Sequence, residues 1–150
     1  MKKILSYLVI AAVVIFVLIQ FIPFGHDHST PPTVSEPAWV NSQARALAKE
    51  HCFQCHSNET EWPWYSNIAP ASWLISFDVI EGRGKFNFSD WQKRPGEMSE
   101  MTEQIQGGGM PPIQYWVFHP NSHMNDQQKQ ELIQALQQSI SNSRYGFLVT

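Results

Sequence analysis

The sequence predicts an all-α protein, with four to five short helices preceded by one N-terminal transmembrane helix. Three observations carry this. Residues 4–22, ILSYLVIAAVVIFVLIQFI, are an uncharged apolar run. Four later stretches repeat apolar residues at the three-to-four-residue spacing of a helix face. Few stretches alternate apolar and polar residues as a half-buried strand does.

As a helix rising about 1.5 Å per residue, the run at 4–22 spans roughly 28 Å, close to the hydrocarbon thickness of a bilayer. A signal peptide competes for the same segment, but its apolar region is shorter and ends in a small-x-small cleavage site. Here the run exits into Pro23-Phe24-Gly25-His26-Asp27-His28, with no such site. The reading is an uncleaved anchor, residues 1–22, that meets the lipid bilayer through residues 4–22. Lys2 and Lys3 keep the N-terminus cytoplasmic by the positive-inside rule. In a bacterium this makes a single-pass inner-membrane protein with the rest of the chain in the periplasm. That compartment is oxidising, so two cysteines there pair unless otherwise used.

Residues 23–36 read as a linker, rich in Pro and polar residues and without period. His26 and His28 within it are expected to be solvated rather than metal-binding. Residues 37–150 form the folded domain, enough for a real but modest core. The 150-residue chain carries a formal net charge of −3. Removing Lys2 and Lys3 leaves 8 of the 10 basic residues against 13 acidic ones, a net −5. No basic patch stands out, which argues against a nucleic-acid partner.

The domain elements follow in order. Val40, Ala44, Leu47 and Ala48 share one face of a helix over 38–51, and CFQCH sits at its end. SNETEWPWYSNIAP is a polar and aromatic loop whose Pro70 suits the first turn of the next helix. That helix, 71–85, places Trp73, Phe77 and Ile80 on a stripe with Leu74 beside it, and Gly82 and Gly84 let it end. NFSDW, residues 87–91, reads as a short connector. Met98, Met101 and Ile105 mark a helix over 97–106. GGGMPP, residues 107–112, is irregular, because three glycines are permissive and two prolines stiff. Asn125 is a good N-cap for a last helix over 126–141, with Leu132, Ile133, Leu136 and Ile140 inward.

Both cysteines lie in CFQCH, residues 52–56. C-x-x-C-H is the attachment signature of c-type haem. Two thiols add to the two vinyl groups, the two intervening residues span the distance between them, and the next histidine lies under the iron. Other readings compete. A redox dithiol wants a βαβ surrounding, which is not visible. Structural zinc wants four ligands, usually from two knuckles; one exists, with His51 and His56 to make up numbers. A plain disulfide does not require His56. Haem attachment through Cys52, Cys55 and His56 accounts for most of the pattern, with one covalent haem c per chain as the implied cofactor.

A second axial ligand is sought among the methionines, since His/Met ligation is the electron-transfer pattern and raises the potential. Met98 and Met101 fall on an apolar helix stripe and read as core. Met124, just before the last helix, is a weaker candidate. Met110 stands apart in GGGMPP, where glycines permit close approach to a flat ligand and Pro111 and Pro112 stiffen the exit. Met110 is therefore the expected distal ligand, with His119 and His123 as competitors.

A helix ending in CxxCH, a loop carrying Met-Pro and a C-terminal helix resemble class I cytochrome c. More specifically, CHSNETEWPWYSNIAPASWLISFDVIEGRGKFNFSDW with GGGMPP and a later HP resembles the small bacterial haem-binding domain family over nearly the whole chain. The resemblance implies haem binding through Cys52, Cys55 and His56 in a cytochrome c-like fold, and it names no reaction. By analogy with the cytochrome c loop, the Ala69-Pro70 region is the expected acceptor for the second nitrogen of His56. Trp62, Trp64, Tyr65 and Trp73 are expected either on the haem or in the core, and Arg83 either solvated or paired with a propionate. The functional expectation is a membrane-anchored electron carrier serving redox partner proteins in the periplasm or membrane. The alternatives are a haem sensor or small peroxidase-like enzyme with an open distal face, and a thiol module without haem.

Overall fold

The structure is a computed structural model in which residues 1–113, 115, 119 and 122–148 are described, with the side chains of the last helix described to residue 143. Among them are six α-helices and no strand: α1 Lys2–Ile19, α2 Ser42–His51, α3 Phe53–His56, α4 Ala71–Lys85, α5 Met98–Gly107 and α6 Asp126–Leu148, with a 3-10 turn at Trp64–Asn67 between α3 and α4.

Helix α1 buries none of its residues and is, among the described residues, the one helix long and apolar enough to cross a membrane. Helix α2 starts at Ser42 rather than at 38 because Asn41 caps it, its side chain accepting from the Ala44 N–H at 2.8 Å. Such a cap is worth about 1 kcal/mol. Helix α6 begins with a reciprocal pair: the Gln128 N–H donates to Asn125 Oδ1 and the Asn125 N–H to Gln128 Oε1, each at 2.9 Å. This capping box satisfies two donors that a helix start otherwise leaves bare. The helix runs on to Leu148, beyond the expected 141.

The core lies where α6 crosses α2 and α5. Leu132, Ile133, Leu136 and Ile140 are its inward row, packed with Ala48, Met101, Ile105 and Met124. Its centre is aromatic and comes largely from the segment that reads as a connector. Phe88 stacks on Trp91 at 5.6 Å and on Phe53 at 5.3 Å, and both Phe53 and Phe88 are fully buried. Burying a side chain of that size contributes about 1.5–3 kcal/mol.

Helix α4 departs from its expected pattern. Its buried face is Ser72, Ser76, Val79 and Gly82, while Leu74, Phe77 and Ile80 are 43, 54 and 59 % exposed. The small residues allow α4 to lie tightly against α3. A Cβ on Gly82 would stand 2.5 Å from the Cys55 carbonyl oxygen. The helix ends at Lys85, as expected, one residue past Gly84.

Residues 23–36 lack regular structure but are laid against the domain. The Gln20 amide, at the end of α1, donates to the Ala69 carbonyl at 3.0 Å and accepts from the Ala69 N–H at 2.9 Å. Gly25 is buried against the backbone of Ser72. His28 stacks on Trp62 at 4.4 Å, with Nε2 3.1 Å from the Ser66 carbonyl. Ser35 pairs with Asp90 in an isolated parallel bridge. His28 is thus held against the domain rather than solvated.

Candidate functional site

The two cysteines sit where α2 gives way to α3. Cys52 caps α2, its N–H donating to the Ala48 carbonyl at 2.8 Å, and the chain then makes the single turn Phe53–His56. The Cys52 carbonyl accepts from the His56 N–H at 2.9 Å. One turn therefore puts both thiols and the imidazole on one side of the chain. The thiols are unbridged, and burial pushes each up to about 12, with the mutual repulsion of the pair adding at Cys52 and Asp78 adding at Cys55. A catalytic dithiol depends on a lowered thiol pKa, and this surrounding does the reverse.

His56 is buried, and its ring stacks on Phe86 at 4.0 Å. Its Nδ1 lies 3.4 Å from the Phe86 carbonyl. A carbonyl only accepts, so Nδ1 carries the proton and Nε2 keeps the unshared pair that a metal ligand needs. Burial pushes the imidazole below its ordinary pKa, which favours that neutral form. The acceptor is Phe86, not the Ala69-Pro70 region. The next residues hold it there: the Phe88 N–H donates to the His56 carbonyl at 2.8 Å. Buried hydrogen bonds run from Asn87 to Asn58 at 2.9 Å and from the Asn58 N–H to Ser89 Oγ at 3.0 Å. Asn58 after CxxCH and Asn87 and Ser89 of NFSDW are thus one polar lock beside the histidine.

GGGMPP comes to the same place from the other side. Helix α5 ends with Gly108 at φ +74°, in the left-handed region that favours glycine. The Gly109 and Met110 N–H groups then both donate to the Gln104 carbonyl, at 2.9 and 3.2 Å, and this folds the loop back over the helix end. The result is a cavity of about 480 Å³ that Cys52, Cys55, His56 and Met110 all line. Phe77, Met101, Ile105 and Leu136 supply apolar wall, and Glu81, Glu97 and Glu100 contribute carboxylates. A volume of several hundred Å³ with mostly apolar walls suits a cofactor or similarly sized ligand.

Two of the liners carry other roles in the sequence reading. Met101 is core, as its spacing implies, but it also faces the cavity. His51 is buried, lines the cavity and has neither ring nitrogen hydrogen-bonded. Its position directly before Cys52 was the available signal. Other residues fall elsewhere. His119 stacks on Tyr115 at 4.1 Å and lines a smaller neighbouring pocket of about 40 Å³. His123 is exposed, and Met124 is in the core. Trp62, Trp64 and Trp73 do not line the main cavity, and Tyr65 borders the smaller pocket. Arg83 is half-buried and does not line the cavity. It donates to the Ser57 carbonyl at 2.8 Å, Thr60 Oγ1 at 3.0 Å and the Ser29 carbonyl at 3.2 Å, so it clamps residues 57–60 to the 23–36 segment.

Residues 14–138 match the family model described as haem-binding domain. The chain belongs to the haem-binding domain family. Comparison with curated proteins and with solved structures gives no match. The span matched to the haem-binding domain starts inside α1 and takes in the whole segment laid against the domain. The site fits the group: an apolar cavity, two adjacent thiols at its edge and an imidazole whose Nδ1 is engaged by a carbonyl.

Proposed function

We propose that this haem-binding domain is a membrane-anchored monohaem c-type cytochrome that carries single electrons in the bacterial periplasm. The supporting observation is that Cys52, Cys55, His56 and Met110 meet at one cavity although 54 residues separate His56 from Met110. In this reading Cys52 and Cys55 hold the haem as thioethers, His56 Nε2 is the proximal ligand and Met110 the distal one. When bound, the haem supplies a one-electron couple between ferrous and ferric iron. The chain's part is to orient His56 through Phe86, to exclude water with Phe77, Ile105 and Leu136, and to present a face to partners. The exposed carboxylates of Glu81, Glu97 and Glu100 at the cavity favour partners with a basic docking patch. Helix α1 is the anchor, with Lys2 and Lys3 on the cytoplasmic side.

The test is expression of the full chain with c-type maturation machinery. Haem that stays with the protein through acid-acetone extraction supports the reading. Haem that extracts leaves a non-covalent haem domain and removes the c-type assignment. Rapid carbon monoxide binding by the reduced protein would replace the His/Met carrier with the open-faced sensor or peroxidase-like alternative.

A further inference from the structure

We infer that the haem domain does not hang from its anchor on a free tether but is seated in the lipid headgroup zone through the loop 63–70, with Trp64 and Ile68 as the inserted side chains. The inference rests on α1 being a membrane anchor.

The geometry begins at Gln20. It directly follows α1 and lies two residues before the end of the apolar run at Ile22. A residue bonded to it shares that depth. Ala69 is so bonded twice, through its N–H and its carbonyl. Backbone groups near the hydrocarbon are costly unless paired within the protein, and the Gln20 amide pairs both of those on Ala69. Pro63 and Pro70 bracket the loop and carry no N–H at all. Within it, the Ser66 N–H and hydroxyl both donate to the Pro63 carbonyl and the Ile68 N–H to Tyr65, so the turn closes on itself. The segment is built to tolerate low polarity.

Its side chains match. Trp64 is 76 % exposed and Ile68 37 % exposed, close in the chain to the clasped Ala69. Leu74 continues the apolar surface, bordering the small pocket with Pro63 and Tyr65. Phe21 and Phe24 are exposed on the chain leaving α1. Tryptophan and tyrosine favour the membrane-water interface, where the ring is apolar and the N–H or O–H is wet. The surface carries no charged side chain between Pro63 and Ser76, so it calls for a zwitterionic lipid surface rather than an anionic one. The seat would fix the direction in which the cavity faces, and so the approach open to a redox partner.

The full-length haem-loaded protein is placed in phosphatidylcholine nanodiscs doped with a phospholipid that bears a photoactivatable diazirine near its headgroup, and labelled sites are located by mass spectrometry. Labels both on α1 and on residues 64–74 support the seat. In W64E/I68E the labels on 64–74 should fall at least several-fold while those on α1, and the haem spectrum, persist. Labels on α1 alone in the wild type overturn the seat and leave the anchor standing. A protein that is not retained by the nanodisc overturns the anchor and the seat with it. A wild type that light scattering in detergent shows as a dimer and W64E/I68E turns to a monomer, with no lipid label on 64–74, overturns the seat in favour of a second copy of the chain.

Discussion

Gly82 and Cys55 are in backbone contact. The α carbon of Gly82 faces the Cys55 carbonyl so closely that any Cβ would stand 2.5 Å from the oxygen and 2.9 Å from the carbonyl carbon. Gly84, two residues on in the same helix, has nothing within 4 Å of the equivalent position. The pair makes an internal control. Gly82→Ala must push α4 off the CxxCH turn, and overpacking of this kind costs about 1–3 kcal/mol. Gly84→Ala should be neutral or stabilise by up to about 1 kcal/mol, since alanine is the better helix former. Thermal melts and haem per chain measure both. Equal behaviour of the two variants would remove the contact from the account of the site.

The difference between these glycines shows what was legible in the sequence. Two glycines near a helix end look like a stop signal, and nothing local tells a contact glycine from a neutral one. The CxxCH motif, the Met-Pro loop and the inward row of α6 were readable because each is a local pattern. The stripe on α4 was misread because periodicity reports that apolar residues share a face, not which face is buried. There the small residues win the inside, as close helix approach demands. The role of NFSDW was hidden for a related reason: Phe88 and Trp91 are the centre of the core, but five residues are too few to show a period. Phe86 as the partner of His56 depends on a contact 30 residues away in the chain.

Two methionines face the cavity, and they should separate cleanly. Met110 is 39 % exposed at the end of an irregular loop, whereas Met101 is 6 % exposed and packed in the core. Met110→Ala should abolish the weak red sulfur-to-iron band of the oxidised protein and lower the potential. Met101→Leu should keep the band and cost less than about 1.5 kcal/mol, as volume-conserving core changes do. The optical spectrum of each oxidised variant decides it. Loss of the band in Met101→Leu and its survival in Met110→Ala would transfer the distal role to Met101.

The thiols offer a test of a different kind. Burial holds Cys52 and Cys55 up to about 12. At pH 8 a thiol with an ordinary pKa near 8.5 is about one quarter thiolate, and one at 12 is about one part in 10⁴. Alkylation of the haem-free folded chain by iodoacetamide should therefore run on the order of 10³-fold slower than alkylation of free cysteine. It should climb steadily as pH rises towards 11. A fast reaction at pH 7 would mean an activated dithiol and revive the thiol-module reading. The haem-loaded protein should not react at all if both sulfurs are thioethers.

Glu36 ties the segment before α2 to the domain, and its pH dependence has a definite sign. Burial pushes the carboxyl up, but hydrogen bonds from Arg45 and Trp39 outweigh it and hold the group below the usual carboxylate range. Arg45 meets it with two contacts, at 2.8 and 2.7 Å, and also reaches Glu59. A carboxylate with a lowered folded pKa stabilises the fold above its unfolded pKa, near 4.3. That contribution is lost as pH falls through the folded value. Glu36→Gln should thus lower stability at pH 7 by about 1 kcal/mol, the upper range for a partly exposed pair. The gap between wild type and variant should stay constant from pH 8 to about pH 6 and close below about pH 4. Denaturant midpoints across that series measure it, and a gap that widened as pH fell would contradict the ionised pair.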